Sequence, residues 1–183
     1  IAILARNGPE YIEIAAAAFK ARVSSVNVNY RYTAPEIEYV LRDSQSRVLY
    51  FQPEFRQVVD PLAGSIAGLR LIEIDDGEYG AAIRDGDGSP LVIKRSGDDG
   101  YLIYTGGTTG KPKGVIWRAA DARATQLESP AVKCVPQSMQ DHVKMVRENT
   151  TPHRVMPACP LMHGAGMTSS LAELVNGGTV VVL

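Results

Sequence analysis

The chain has 183 residues, with 19 Lys and Arg against 20 Asp and Glu and a net charge of −1. Such a balance gives no basic field for nucleic acid or an anionic membrane surface. An apolar fraction of 45% over this length can bury a sizeable core, and no apolar run approaches the roughly 20 residues of a membrane helix.

Ile1 to Leu4 reads as a buried strand, and Asn7-Gly8-Pro9-Glu10 carries helix-start signals, with proline in the first turn and an acid near the positive dipole end. The helix is expected to run to about Arg22, with Ile12, Ala15, Ala16, Phe19 and Val23 as its buried face. Val23 to Val28 follows as a strand, then a polar turn at Asn29-Tyr30-Arg31-Tyr32. Thr33-Ala34-Pro35-Glu36 is a capping box, which predicts a helix over 34–43 with Ile37, Val40 and Leu41 inward. Arg47 to Phe51 is a third strand, a helix follows around 54–66, and Leu69 to Ile74 is a fourth strand. Strands alternating with helices over short connections imply parallel pairing.

From there to Pro90 the periodic signal fades. Asp85-Gly86-Asp87-Gly88 lacks the further oxygen ligands of a calcium loop. Asp98-Asp99-Gly100 is read as a turn whose carboxylates stay away from the segment that follows it.

That segment, Tyr101 to Trp117, is YLIYTGGTTGKPKGVIW, a strand, a loop and a second strand. Its loop has glycines at 106, 107, 110 and 114, hydroxyls at Thr105, Thr108 and Thr109, and ammonium groups at Lys111 and Lys113. Glycines let a backbone approach a ligand closely, and donors without carboxylates suit an anion such as a polyphosphate. A P-loop needs four residues before its Gly-Lys pair and then Ser or Thr. Here three residues separate Gly106 from Gly110, Lys111 is followed by Pro112, and β-prone residues rather than a helix come next.

Beyond Trp117 the pattern gives a helix from Ala119 to about Glu128 and another from Ser138 to Arg147, the latter with a solvated face of Asp141, Lys144, Arg147 and Glu148. Val155 leads into Cys159-Pro160-Leu161-Met162-His163-Gly164-Ala165-Gly166, then a helix from about Met167 to Val175 and a strand from Thr179 to Leu183. The glycine-flanked loop at His163 lies where α/β folds bind ligands, after a strand. Met162 and Met167 read singly as core filler, or together as lining for an apolar chain. The two cysteines, Cys134 and Cys159, make no disulfide framework and suit a reducing, cytoplasmic setting. His142, His153, Cys159 and His163 lack zinc-ligand spacing, so no metal site is assigned to them.

The run TGGTTGKPKG at 105–114 resembles the phosphate-binding signature of the adenylate-forming superfamily, the acyl-CoA synthetases, luciferases and peptide-synthetase adenylation domains. That pattern usually has Ser where this chain has Gly106. The continuation to Arg118 is most similar to fatty-acyl and steroid-side-chain CoA ligases. Pro160-Leu161-Met162-His163-Gly164, about 45 residues further on, resembles the second motif of acyl-CoA synthetases, a Pro-Leu-x-His segment at the acyl pocket.

The resemblance implies an α/β fold, a layered and mostly parallel sheet with flanking helices, as part of the large N-terminal domain of an adenylate-forming enzyme. It would divide into first βα units at 1–84, a phosphate-loop hairpin at 98–118 and a second βα unit at 153–183, without the C-terminal domain. Both ends fall within apolar strand-like runs, so a piece of a longer chain is expected, inactive when isolated. The implied co-substrates are ATP, with Mg2+, coenzyme A and a small carboxylic acid, and no nucleic acid. Thr105, Gly106, Gly107, Thr108, Thr109, Gly110, Lys113 and Gly114 would hold the ATP phosphates. His163 would be catalytic at the substrate carboxylate, and Met162, His163 and Gly164 would line the acyl pocket. The alternatives are an aryl- or amino-acid-adenylating enzyme that loads a carrier protein, or a nucleotide-binding module without turnover.

Overall fold

The computed structural model of the protein describes residues 1–106, 110–128 and 135–183. Strand β1 (Ala2–Leu4) leads into helix α1 (Pro9–Ala21), β2 (Val26–Asn27) into α2 (Ala34–Asp43), and β3 (Val48–Phe51), through a 3-10 turn at Pro53–Phe55, into α3 (Arg56–Ser65). Then come β4 (Arg70–Glu73), α4 (Glu78–Asp85), β5 (Gly100–Thr105), β6 (Lys113–Arg118) and α5 (Ala119–Leu127). The chain continues with α6 (Met139–Glu148), β7 (Arg154–Val155), α7 (Gly164–Val175) and β8 (Thr179–Val180).

Six strands form one sheet in the order β4-β3-β1-β2-β5-β6, and β7 pairs with β8 in a second. Every pair in the large sheet is parallel except β5 with β6. The carboxyl ends of β1 to β5 therefore lie along one edge. Side chains alternate across the sheet, so Ala2 and Leu4 join Val26, Leu49 and Phe51 under Ile37, Val40 and Leu41 of α2 and Val59 and Leu62 of α3. Ile3 and Ala5 face the other way, packing with Tyr11, Ile14 and Ala15 of α1, Met167 of α7, and Tyr101 and Leu161. The central strands β1 and β2 are thus buried on both faces, as parallel pairing requires, while β6 at the edge is exposed along its length.

Helix α2 begins as its sequence dictates. The amide and hydroxyl of Thr33 both donate to Glu36 Oε2 at 2.8 Å, which satisfies groups that the helix start would otherwise leave unpaired. Those bonds hold the Glu36 carboxyl below the usual carboxylate range. Helix α1 buries Tyr11, Ile14, Ala15 and Ala18, not the full set predicted for it. The axis is turned so that Ile12, Ala16 and Phe19 are only half-buried, and Arg22, left-handed at φ 59°, ends the helix before Val23, which is exposed.

The acidic turn before β5 lies at the base of the hairpin. Asp99 pairs with Arg22 at 2.8 Å and Asp98 with Arg118 at 3.1 Å, so both carboxylates sit at the end opposite the glycine-rich loop. The bond from Arg22 holds the Asp99 carboxyl below its ordinary range. Asp141, Lys144, Arg147 and Glu148 of α6 are exposed. No helix among the described residues is long and apolar enough to cross a membrane.

Candidate active site

Strands β5 and β6 pair without a bulge, from Gly100 opposite Arg118 to Thr105 opposite Lys113. The ladder sets Thr105 and Lys113 side by side at the mouth of the loop, and both side chains are exposed. Helix α2 braces the hairpin from one face with two residues a helical turn apart. Tyr104 donates its hydroxyl to Asp43 at 2.6 Å, and the Lys111 ammonium lies 4.8 Å from the centre of the Tyr39 ring. Burial first, and then the bond to Asp43, push the Tyr104 hydroxyl well above the pKa of a free phenol, so it stays a neutral donor. Gly106 and Gly110 open onto space, since no described atom lies within 4 Å of where a Cβ would sit on either. Among the described residues nothing blocks a ligand from the backbone there.

The second motif folds as a tight turn, the His163 amide donating to the Pro160 carbonyl at 3.0 Å. His163 then occupies the N-cap of α7, which starts at Gly164, three residues before the start predicted at Met167. The early start depends on Gly166. A Cβ there would lie 2.5 Å from the Pro160 carbonyl oxygen and 2.6 Å from that of Cys159, so only glycine lets the helix backbone come this close to the turn. No side chain caps α7, and its positive end is left beside His163 and Gly164.

The two motifs meet. A cleft of about 360 Å³ at the carboxyl ends of β2 and β5 is lined by Asn27, Asn29 and Tyr32, by Ile103, Tyr104, Thr105 and Gly106, and by Met162, His163 and Gly164. Thus Thr105, Gly106, Met162, His163 and Gly164 come together in one concavity. Lys113 and Gly114 lie on the returning strand β6, outside the lining, with Lys113 opposite Thr105. Gly110 is exposed at the start of that return, whereas Gly107, Thr108 and Thr109 fall outside the described residues. Met162 is 5% exposed and forms part of the wall, while Met167 is 1% exposed and belongs to the core under α1.

Sequence reasoning missed Asn27, Asn29 and Tyr32. The signal was in Val26-Asn27-Val28-Asn29. The two valines enter the core beneath α2 and α3, whereas Asn27 takes the opposite face of β2, a face normally apolar in a parallel sheet, and Asn29 follows just beyond the strand. Asn27 is 3% exposed. A groove of about 380 Å³ between α1 and α4 has mainly aliphatic walls, including Ala17, Ala18, Ala21 and Ile83, and contains no residue of either motif.

Among the described residues no three His, Cys, Asp or Glu side chains converge on a metal site. His142 contacts the Val175 carbonyl at 3.0 Å, His153 lies 3.9 Å from Glu173, and Cys159 carries an exposed free thiol.

The AMP-binding enzyme family matches the chain over residues 1–183. The chain belongs to the AMP-binding enzyme family. Within that family it is 33% identical to the medium-chain acyl-CoA ligase Mig of Mycobacterium avium, across 99% of this chain and 35% of the relative. It is 31% identical to the 3-oxocholest-4-en-26-oate–CoA ligase of Rhodococcus rhodochrous, across 100% of this chain and 35% of the relative. The chain thus spans about a third of the length of these curated family members. Its fold superposes on the inhibitor-bound N-terminal domain of FACL13 from Mycobacterium tuberculosis with a TM-score of 0.79 at 23% identity, covering all of this chain and 43% of that one. It also superposes on ATP-bound MatB from Rhodopseudomonas palustris with a TM-score of 0.76 at 21% identity, covering 100% of this chain and 34% of that one.

Proposed function

We propose that the protein carrying this chain uses ATP to convert a carboxylic acid into an acyl-adenylate, releasing pyrophosphate, and passes the acyl group to coenzyme A. The observation that carries this reading is the shared cleft, in which the end of the donor-rich hairpin faces the turn bearing His163. The names of the acyl-CoA ligase relatives support it.

A carboxylate does not react with a thiol because its oxygen leaves poorly. Attack of a carboxylate oxygen on the α-phosphorus forms a new P–O bond as the bond to the bridging oxygen breaks and pyrophosphate departs. The barrier is largely electrostatic, because an anion must approach a polyanion, and donors that take up phosphate charge lower it. Thr105, Thr108, Thr109, Lys113 and the amides around Gly106, Gly107, Gly110 and Gly114 would hold the phosphates. His163, beside the positive end of α7, would orient the carboxylate, and Met162 and Gly164 would border the acyl chain. Among the described residues the lining contains no carboxylate, the usual protein ligand of Mg2+. The described lining residues by themselves do not fit a magnesium site, and the chemistry assigned to them runs through the phosphate donors.

Acid-dependent exchange of radiolabelled pyrophosphate into ATP by the full-length protein tests the reading. Exchange that needs both the acid and ATP is the expected result. Its absence across fatty, aryl and sterol acids would contradict it.

A further inference from the structure

The turn that carries His163 is held to the sheet by two asparagines far away in the sequence. Asn27, at the end of β2, directs its side-chain amide at two backbone carbonyls, those of Leu161 at 3.3 Å and Met162 at 3.2 Å. Asn7, just after β1, accepts the Leu161 amide on Oδ1 at 2.9 Å. Both polar backbone groups of Leu161 are therefore bonded to side chains, one on β2 and one in the loop after its neighbour β1, and the Pro160–His163 bond closes the turn. Asn27 also lines the cleft, and its own Oδ1 has no partner among the described residues. A buried amide oxygen left unpaired costs stability. A shape-matched aliphatic side chain would avoid that cost if filling space were all the position required.

We infer that Asn7 and Asn27 are positioning residues that fix the height and angle of the Pro160–His163 turn above the sheet, and so place His163 against the acid bound beside Thr105. The inference rests on the acyl-adenylating reading of this cleft. It differs from simple packing because the two asparagines use opposite halves of the same side chain. Asn7 serves only as an acceptor, which a carboxylate can replace. Asn27 serves only as a donor to the turn, and a carboxylate in its place would set an anion against two carbonyl oxygens.

The test compares Asn7→Asp, Asn7→Leu and Asn27→Asp in the full-length protein. It reads hydrogen exchange at the amides of Leu161 and His163, and the kcat and KM of acid-dependent pyrophosphate exchange. Asn27→Asp should speed amide exchange at the turn by about tenfold or more, as the loss of two such bonds implies, and leave the β3 amides protected. It should lower kcat/KM for the acid by at least about tenfold with the KM for ATP within about twofold. Asn7→Leu should act in the same direction, and Asn7→Asp should stay near wild type. Equal tolerance of both aspartate variants would overturn the inference, as would opening of the whole sheet in Asn27→Asp. A wild-type protein without pyrophosphate exchange would refute the functional reading instead, and the amide-exchange arm would still decide whether the pair holds the turn.

Discussion

Replacing Lys113 by methionine is expected to slow acid-dependent pyrophosphate exchange by about 10²- to 10³-fold, the range seen when one preorganised donor to developing charge is removed. Lys113 opens β6, its backbone is fixed opposite Thr105, and its side chain is exposed. Among the described residues it enters no ion pair, so its ammonium can turn to a phosphate. The loss should appear in kcat, with the urea midpoint unchanged, because an exposed methylene chain contributes little to folding. Lys111 supplies the control. Its ammonium lies over Tyr39, an interaction of about 0.5–1 kcal/mol at an exposed site, so Lys111→Met should cost only severalfold in rate. Equal losses for the two lysines would contradict the assignment of Lys113 to the phosphates.

Leu49→Ala is expected to destabilise the fold by about 2–5 kcal/mol, through lost transfer energy and the cavity left behind. Leu49 is fully buried in the middle of β3, within the cluster under α2 and α3. Its strand lies between β1 and β4, so the sheet cannot easily close around the gap. Ile116 on β6 is 71% exposed, and Ile116→Ala should change stability by less than about 0.5 kcal/mol. Urea denaturation of the full-length variants, with the slope unchanged, checks both values. A cost below about 1 kcal/mol for Leu49→Ala would show that β3 is not the centre of the core.

Much of this architecture was legible because local chemistry and global pairing agree. Pro9 at the start of α1, the Thr33–Glu36 pair at the start of α2, and the glycines flanking β5 and β6 each mark a boundary that the structure keeps within a few residues. The inward set Ile37, Val40 and Leu41 is buried as its spacing predicts. The hidden parts have physical reasons. Helix α4 is eight residues long and buries none of them fully, so its apolar face of Tyr79, Ala82 and Ile83 is too short for periodicity to set apart from a loop. Strands β2 and β8 are each two residues long, shorter than the apolar runs predicted for Val23–Val28 and Thr179–Leu183, because a strand lasts only while its neighbour pairs with it.

At the candidate site, the glycine-rich hairpin was readable from its own residues, and the Pro-Leu-Met-His turn from its resemblance to a family motif. Their meeting was not. It depends on β5 lying beside β2, and on Asn7 and Asn27 bonding to a turn 154 and 134 residues further along the chain. Spacing within a motif cannot report such contacts. The left-handed Arg22 is a similar case. The helix ends where the sequence predicts, near Arg22, but the left-handed backbone there turns Val23 away from the buried face assigned to it.

The central claim is that one cleft holds both the nucleotide and the acid. A crystal structure of the full-length protein with a non-hydrolysable acyl-adenylate analogue tests it most directly. The phosphate-like group should lie against Thr105 and the Gly106 loop, and the acyl carbonyl should come within hydrogen-bond reach of His163, with the chain passing Met162. An analogue seated elsewhere, for instance in the aliphatic groove between α1 and α4, with Thr105 and His163 untouched, would contradict the account.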